Sequence, residues 1–594
     1  MMHRMYSRVR ALPIGLLVVC LPLAACTLSH PSPAARIGRD VAFLADDSLE
    51  GRLTGSDGER LAAAYLSRRF AELGLEPPFS SRYRQEFEFK AGARVLEGSG
   101  LRVAGREVSL RPLGFSSNGS VRGTLCYAGY GVAGNGRNDY ENLDVEGRIV
   151  LARFRLGSEL SAASRRELSS YMPPRYRAFL AKRHGAVGIV FFDDAPRRRH
   201  RPTAYASGDA EAIGAAVLRR SDLAIALPDF DPDVSHKKDS VKEPVHGHSS
   251  SACEPGVEAT LSTRLEFTHC NGINVAAILP ASAPTSAEPG LVVVGAHYDH
   301  LGRGEFGSLY DGDDDPIHNG ADDNASGTAA VLELARRASD IPGRRHDILF
   351  VLFSGEEMGL VGSTELLKRR DLLDARGPIK AMLNFDMVGR LDRVLSLQGT
   401  GSAAEWETII ARASAKLRHP PQVNTSANPY LPTDAMSFYV EKIPVLNFFT
   451  GAHEQYHKPD DDVELVNNDG IATVVDYAYE VLSVLSAGQR LAWKETPREK
   501  QSAKSGMLQV YLGTIPDYTA DVDGLRLNGV RGDSPAARAG LERGDVVVSV
   551  ADTAVHDVYD YTYALAGALP GEELLVVVVR DGETVELRVI PEAR

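Results

Sequence analysis

The stretch Leu291-Val292-Val293-Val294-Gly295-Ala296 is an unbroken apolar run that ends at His297. Two further runs, Ile348 to Phe353 and Ala381 to Phe385, are similar in character and also lead into acidic residues. Apolar runs of this length without polar alternation are typical of strands that are buried on both faces of a parallel sheet. In an open parallel sheet, ligands bind outside the carboxyl ends of the strands. We therefore expect the residues after these runs to lie together in one crevice.

Five segments of the chain supply Asp, Glu or His side chains to this predicted crevice. They are residues 297–299, 322–327, 356–357, 384–386 and 456–457. Carboxylates and imidazoles without thiolates suit zinc, manganese or cobalt, and they leave room for a reactive water. The segments therefore predict a metal-dependent hydrolase.

A simpler explanation of Asp322, Asp323 and Asn324 is that they cap the helix that begins near Ser326. Taken alone, that explanation would be preferred. The pair Glu356-Glu357 favours the metal site, because adjacent carboxylates after a buried strand are costly without a cation.

With these residues in view, the chain resembles the co-catalytic di-zinc aminopeptidases, a family that includes bacterial leucyl aminopeptidases, glutamate carboxypeptidases and the transferrin receptor. The matching motifs are His-x-Asp-His, Asp-Asp-Asn-Ala-Ser-Gly-Thr, Phe-Ser-Gly-Glu-Glu-Met-Gly-Leu-x-Gly-Ser, Asn-Phe-Asp-Met-Val-Gly and Tyr-His-x-Pro-Asp-Asp. They occur in family order within residues 291–462. The resemblance implies an α/β fold, a three-layer sandwich with a mostly parallel central sheet.

The resemblance also implies two Zn²⁺ ions per chain, held by five ligands. These ligands are a bridging Asp323, His297 and Asp386 on one ion, and Glu357 and His457 on the other. Glu356 would be the general base, Tyr456 would donate a hydrogen bond to the oxyanion, and Asp299 would orient His297.

The function that follows is that of an exopeptidase, most directly an aminopeptidase that removes N-terminal residues from peptides. A carboxypeptidase or another amidase of the same fold is the alternative within this class. A non-catalytic scaffold that only binds peptides is the alternative of a different class, and the complete ligand set with Glu356 argues against it.

The N-terminus reads as a targeting segment. Basic residues precede the apolar stretch Ala11 to Leu23, which is too short to span a membrane comfortably. Leu23-Ala24-Ala25-Cys26 resembles a bacterial lipobox, in which Cys26 would carry the lipid. An ordinary secretory signal that is cleaved near Ala25 is the alternative. We expect an exported protein, anchored by its lipid to the cell envelope (outer membrane or periplasm) or otherwise secreted.

Composition and local patterns divide the rest of the chain. Residues 140–153 and 181–191 resemble the protease-associated (PA) domain, a β-rich insert of secreted peptidases. Ser534-Pro535-Ala536-Ala537 and the Gly-Leu-x-x-Gly-Asp that follows resemble a PDZ domain, in which Leu512 and Gly513 would bind a peptide carboxylate. The expected division is a signal peptide over 1–26, an N-terminal part of the peptidase over 36–90, a PA insert over 91–265, a catalytic domain over 270–490, a linker over 491–505 and a PDZ domain over 506–594.

The expected partners are peptide substrates and, through the PDZ-like unit, peptide C-termini. The net charge of −13 argues against a nucleic-acid partner. Membrane contact is expected through the lipid anchor only. The sequence leaves open whether Cys253 and Cys270 form a disulfide.

Overall fold

The computed structural model describes residues 31–593 with several gaps. The gaps are 135–136, 158–159, 162–163, 166–167, 169–170, 194–212, 229, 231–256, 284–288, 305–306, 311–313, 370–374, 497–509, 518–521 and 567. The predicted signal peptide with Cys26, most of the predicted linker and Cys253 lie outside the described residues.

Eleven helices and 26 strands lie in the described part of the chain. The helices are α1 Pro33–Leu44, α2 Asp57–Glu72, α3 Pro174–Arg183, α4 Arg220–Ala226, α5 Gly327–Ala338, α6 Val361–Leu367, α7 Glu405–Lys416, α8 Asp434–Val440, α9 Asn468–Ser486, α10 Pro535–Arg538 and α11 Val558–Ala566. The strands are β1 Arg84–Val95, β2 Gly100–Val103, β3 Arg106–Val108, β4 Arg111–Pro112, β5 Gly119–Tyr127, β6 Ala133–Gly134, β7 Arg137–Asn138, β8 Ile149–Arg153, β9 Gly188–Asp193, β10 Gly214–Arg219, β11 Glu258–Thr263, β12 Leu265–Leu279, β13 Leu291–His297, β14 Asp347–Phe353, β15 Ile379–Phe385, β16 Val394–Gln398, β17 Gln422–Ser426, β18 Val445–Phe449, β19 Val510–Tyr511, β20 Thr514–Pro516, β21 Leu525–Val530, β22 Val546–Val550, β23 Thr553–Ala554, β24 Leu574–Arg580, β25 Glu583–Val589 and β26 Glu592–Ala593.

The central sheet has eight strands in the order β1-β12-β14-β13-β15-β18-β16-β17. Its four middle strands run parallel to one another. The pairs β1–β12, β12–β14 and β18–β16 are antiparallel, and the edge strand β17 runs parallel to β16. The three apolar runs of the sequence are β13, β14 and β15 in the middle of this sheet. The predicted α/β fold is confirmed, with a sheet that is mixed at its edges and parallel where the apolar runs lie.

Helices cover both faces of the central sheet. Side chains of Val292 and Val294 pack into one apolar core with residues of α1, α2, α5, α7 and α9. Val293 points to the other face and packs with residues of α6 and α8. Neighbouring residues of one strand thus enter two different cores, which explains why the run has no polar alternation.

The predicted insert contains a second eight-stranded sheet, in the order β3-β2-β11-β5-β8-β9-β10-β4. Strand β1 pairs with residues 265–275 of β12, and the two strands lead the chain from the central sheet into this insert and back. The identity of the insert as a PA domain stays a prediction. Cys270 on β12 is free, so it does not pair with Cys253, while Cys126 on β5 is disulfide-bonded.

Residues 510–593, called the C-terminal unit below, form a separate β-rich fold. Strands β20-β21-β22-β24-β25 form a sheet with β23 beside β22, and β19 pairs with β26. This unit has an apolar core of its own, which includes Leu527, Val547 and Val576. Within the described residues, no helix combines the length and the apolar character needed to cross a membrane.

Candidate metal centre

The ends of the parallel strands deliver most of the predicted metal ligands. His297 is the last residue of β13, and it lies beside Phe353 at the end of β14. Glu356 and Glu357 follow β14 after a short turn, and Asp386 follows directly on β15. Because parallel strands end at the same edge of the sheet, all four side chains reach one crevice, as the sequence predicts.

The turn Ala321–Ser326, immediately before α5, separates the roles of three neighbouring polar residues. Asn324 caps the helix, because its Oδ1 accepts the backbone N–H of Gly327 at 2.9 Å. Asp322 is turned away from the crevice and accepts the N–H of Gly389 at 2.6 Å. The Asp323 carboxylate alone faces the crevice. The capping explanation therefore holds for Asn324 and not for Asp323.

The two oxygens of Asp323 face two different pairs of side chains. Oδ1 lies 3.3 Å from Nε2 of His297, which in turn lies 3.7 Å from Oδ1 of Asp386. Oδ2 lies 3.4 Å from Nε2 of His457, which lies 3.2 Å from Oε2 of Glu357. Two ligands on a tetrahedral zinc, with bonds of 2.0–2.2 Å, are about 3.4 Å apart. The spacing within each pair therefore fits a metal ion.

A second observation supports a cation at this place. Nε2 of His457 is buried and makes no hydrogen bond in the structure, although two carboxylates surround it. The donor atoms of His297, Asp323 and Glu357 lie within 4.8 Å of one another, and so do those of His297, Glu356 and Asp386. Oxygen and imidazole donors at this spacing are those that zinc accepts.

The pKa shifts show how strongly these groups interact. Burial raises the pKa of the Asp323 carboxyl, but His297 and His457 outweigh it and hold that pKa well below its usual range. Burial and Asp323 likewise act to raise the pKa of Glu357, yet His300 and His457 lower it to about 2. Burial lowers the pKa of His457, whereas Asp323 and Glu357 raise it to about 11. The carboxylates thus stabilise positively charged groups in the crevice.

Glu356 and Tyr456 line the same cavity as the predicted ligands. Burial raises the pKa of Glu356 well above its usual range, and although His297 lowers it, Asp386 raises it further. Burial and Asp323 raise the pKa of Tyr456, so its hydroxyl stays protonated at neutral pH and is able to donate a hydrogen bond. The ring of Tyr456 stacks on His457, with the two centroids 3.9 Å apart.

Asp299 lies beside the imidazole of His297, where the sequence predicts it. Nδ1 of His297 lies 3.2 Å from the backbone carbonyl oxygen of Asp299 and 3.7 Å from its carboxylate. The carbonyl therefore orients the imidazole and leaves Nε2 free to face the crevice. The carboxylate accepts hydrogen bonds from the Thr54 hydroxyl and from the backbone N–H of Glu356. Asp299 thus holds both His297 and the segment that carries Glu356.

Two further residues, His300 and Asp461, support the ligands, and the sequence predicts such a role for Asp461, which lies four residues after His457. Nδ1 of His300 lies 2.8 Å from Oε1 of Glu357. His300 belongs to the His-x-Asp-His motif, so its presence near the site could be read from the sequence, although its partner could not. One carboxylate oxygen of Asp461 accepts the backbone N–H groups of Asp322 and Asp323, each at 3.0 Å.

A buried arginine from the N-terminal part of the chain joins the loops around the site. Arg52 is fully buried, and its guanidinium donates to the backbone carbonyls of Tyr298, Asn319 and Gly320. These carbonyls flank the segments that carry His297 and Asp323. Arg52 lies almost 250 residues before His297, and no local signal in the sequence connects the two.

The site opens into a cavity of about 240 Å³. Its polar side carries four carboxylates and two imidazoles, and its other side is largely apolar. The lining residues are His297, Asp323, Glu356, Glu357, Asp386, Met387, Gln398, Leu431, Pro432, Thr433, Asn447, Phe449, Ala452, Tyr456 and His457. No lysine or arginine lies among these described lining residues.

Residues 274–482 match the model of peptidase family M28, and residues 503–590 match the model of the PDZ domain. The first of these two segments resembles the M28 peptidases. This segment contains all five predicted ligands, Glu356 and Tyr456. The resemblance that the sequence motifs carry is confirmed for the peptidase and PDZ segments.

Aminopeptidases are also found among similar single proteins. The chain is 26% identical to "Probable lipoprotein aminopeptidase LpqL" of Mycobacterium tuberculosis, over 57% of this chain and 55% of that protein. It is 27% identical to "Aminopeptidase YwaD" of Bacillus subtilis (50% and 62%) and 28% identical to "Aminopeptidase" of Pseudomonas aeruginosa (37% and 43%). The chain thus spans between 43% and 62% of the length of these three relatives.

Two solved structures resemble the chain over 79% of its length, each at 20% identity. The aminopeptidase from Aneurinibacillus sp. strain AM-1 has a TM-score of 0.47 and is covered over 98% of its chain. The zinc aminopeptidase BSAP from Bacillus subtilis has a TM-score of 0.49 and is covered over 97%.

The predicted carboxylate-binding residues of the PDZ segment lie in a tight loop between β19 and β20. The carbonyl of Leu512 accepts the N–H of Ala536, and that of Gly513 accepts the N–H of Arg531, both at 2.8 Å. Gly513 has a φ of +90°, and a Cβ atom there would meet the side chain of Ser534. Strand β20, which follows, lies at the edge of its sheet.

Proposed function

We propose that the protein is a zinc-dependent aminopeptidase whose site holds two metal ions. The observation that carries this proposal is the position of Asp323, whose two oxygens each face a separate histidine–carboxylate pair. His297 and Asp386 would hold one ion, and Glu357 and His457 the other, with Asp323 shared between them. The match of the segment to the model of peptidase family M28 and the names of the relatives agree with it.

When bound, two such ions lower the pKa of a shared water and polarise a carbonyl group. Glu356 lies beside this place and acts in the proposal as the base that accepts the water proton and returns it to the leaving amine. The protonated hydroxyl of Tyr456 donates to the oxygen on which negative charge develops. Asp299 holds the backbone N–H of Glu356 and so fixes the position of the base.

The described lining of the cavity favours recognition of an amino terminus over a carboxyl terminus. A carboxypeptidase needs a cationic side chain to bind the free carboxylate of its substrate, and arginine suits this task best. The described lining residues contain four carboxylates and no lysine or arginine. With two Zn²⁺ ions bound, the charge of the ions would offset that of these carboxylates, so the preference for an amino terminus rests on the lack of lysine and arginine among the described lining residues.

The volume of the cavity also limits the size of the ligand that it is able to hold. Its volume of about 240 Å³ is below the roughly 300–1,000 Å³ of pockets that enclose drug-sized ligands. It therefore suits the end of a peptide rather than a long internal segment. Met387, Leu431 and Phe449 give one side of it an apolar surface for the terminal side chain.

A comparison of free and blocked substrates tests the proposed function. The zinc-loaded protein should hydrolyse leucine p-nitroanilide and leave N-acetyl-leucine p-nitroanilide intact, since the acetyl group removes the positive charge. A chelator should abolish the activity, and added zinc should restore it. Equal hydrolysis of both substrates would point to a general amidase, and absence of both activities with two zinc ions bound would refute the proposal.

We also propose that the protein is an exported lipoprotein and that its C-terminal unit binds peptide C-termini. The lipobox-like segment ending at Cys26 and the relative named as a lipoprotein aminopeptidase support the first part. The match to a PDZ domain and the edge position of β20 support the second, since a peptide is able to add there as a strand. A labelled peptide with a free carboxylate should bind in a fluorescence anisotropy assay, and its C-terminal amide should not.

A further inference from the structure

One wall of the cavity is a loop, and the C-terminal unit reaches it. Residues 427–433, called the wall loop below, connect β17 to α8, and their last three residues, Leu431, Pro432 and Thr433, line the cavity opposite the carboxylates. Leu431 and Pro432 remain partly or fully exposed to solvent. The loop lies outside the regular elements, and besides a backbone hydrogen bond from Gly401 to Ala427 it is held by side-chain contacts.

Tyr430 in the middle of the wall loop is held between two partners. The guanidinium carbon of Arg531, from the C-terminal unit, lies over its ring at 3.3 Å from the centroid. On the peptidase side, the ring of Tyr439 in α8 meets it edge-on, with centroids 5.0 Å apart and an angle of 82°. A cation over an aromatic face at this distance is an attractive contact. Arg531 is the ring's partner from the described part of the C-terminal unit.

Other contacts dock the C-terminal unit near the same place without touching the wall loop. Arg543 forms an ion pair with Glu441, which lies just beyond the far end of α8. The backbone N–H of Gly532 donates to the carboxylate of Glu495. Pro516 and Asn528 share a narrow cleft with residues of α6 and α8. Several contacts thus hold the C-terminal unit against the peptidase segment, and among the described residues Arg531 provides the contact with the ring of Tyr430 in the wall loop.

We propose that Arg531 is a positioning residue for the wall loop, through which the C-terminal unit sets the preference of the active site for the terminal side chain of the substrate. This inference rests on the proposed aminopeptidase function. A large apolar side chain that contacts Leu431 gains from a fixed wall, while a small one does not reach it. The backbone N–H of Arg531 also donates to Gly513, so the wall loop and the predicted carboxylate loop share this residue.

Kinetics with two substrates test the proposal. In Arg531→Ala, the ratio of kcat/KM for leucine over alanine p-nitroanilide should fall about threefold or more, a loss within the range of one cation–π contact. The fall should come from KM for the leucine substrate, because Glu356 and the metal ligands are untouched. Arg531→Lys should keep most of the ratio. Arg543→Ala, at the same interface, should leave it unchanged.

A second measurement does not depend on turnover. Hydrogen–deuterium exchange of the peptide that covers 427–433 should become faster in Arg531→Ala and stay at the wild-type rate in Arg543→Ala. An unchanged ratio together with unchanged exchange in Arg531→Ala would overturn the proposal, and so would equal effects of both variants. If the wild-type protein hydrolysed neither substrate, the proposed function would fail, and the exchange experiment would still decide whether Arg531 fixes the wall loop.

Discussion

Replacing Asp461 by Asn is expected to weaken zinc binding although Asp461 is not a ligand. The Asp461 carboxylate is fully buried, and one of its oxygens accepts the backbone N–H groups of Asp322 and Asp323. Its other oxygen accepts the guanidinium of Arg390 at 2.8 Å. The residue thus holds the turn that presents Asp323 to both predicted ions.

The magnitude follows from these three hydrogen bonds. Bonds to a charged group contribute about 1.5–3 kcal/mol each, against about 1 kcal/mol for neutral ones. The Asn side chain carries no charge and has one acceptor oxygen instead of two. The hydrogen bonds from the backbone N–H groups of Asp322 and Asp323 and from the guanidinium of Arg390 are therefore weaker in the variant or lost. Loss of such support for a ligand typically weakens metal binding about 10–100-fold, or roughly 1.4–2.8 kcal/mol.

The assay is a competition titration of the metal-free protein against a chelating zinc indicator. Asp460→Asn is the matched control, because Asp460 is the preceding residue and is exposed. We expect Asp461→Asn to bind zinc at least about tenfold more weakly than Asp460→Asn. Affinities of the two variants within about twofold of each other would refute the role given to Asp461.

Three more predictions concern the base, a buried carboxyl group and the anchor. Glu356→Gln should lower kcat at least about 10²-fold with unchanged zinc content, as expected for loss of a proton acceptor; lost zinc would make Glu356 a ligand. Burial raises the pKa of Glu59 from 4.5 to about 7. Between these two pH values the folded protein keeps a proton on Glu59 that the unfolded chain has released. The free energy of unfolding of the wild-type protein therefore falls as pH rises through this range. Between pH 5 and 8, the free energy of unfolding of the wild-type protein should fall by up to about 3 kcal/mol more than that of Glu59→Gln, as measured by thermal or urea unfolding. A difference between the two proteins that does not change with pH would contradict this. Cys26→Ser should move the protein from the membrane fraction to the soluble fraction with unchanged activity, and continued membrane association would exclude the lipid anchor.

The strand ends were predictable from the sequence because two short-range signals coincide there. An apolar run such as Leu291 to Ala296 identifies a strand that is buried on both faces, and the polar residue that ends it must lie at the edge of the sheet. The motif around Asp323 then distinguishes a ligand from its helix-capping neighbour Asn324. For these residues the predicted and observed positions agree.

Long-range contacts between side chains and backbone could not be predicted in the same way. Arg52 fixes the loops of the site through backbone groups, which any residue type supplies, so the sequence carries no complementary signal for it. For Asp461 the motif indicates a place near the site but does not identify the two backbone N–H groups that it accepts. The contact of the Asp299 carbonyl with His297, which comes in addition to the carboxylate at 3.7 Å, depends on the local backbone conformation. The contact between Arg531 and Tyr430 depends on how two separately folded units dock.

The zinc content of Asp323→Ala tests the two-metal site most directly. After equilibrium dialysis against zinc, elemental analysis should find two ions per chain in the wild-type protein and in Asp322→Asn, whose side chain is turned away from the cavity. Glu357→Ala, which loses a ligand of one ion only, should keep about one. Asp323→Ala should retain fewer than Glu357→Ala, because its carboxylate serves both ions. A content near two in Asp323→Ala would contradict the bridging role and with it the proposed site.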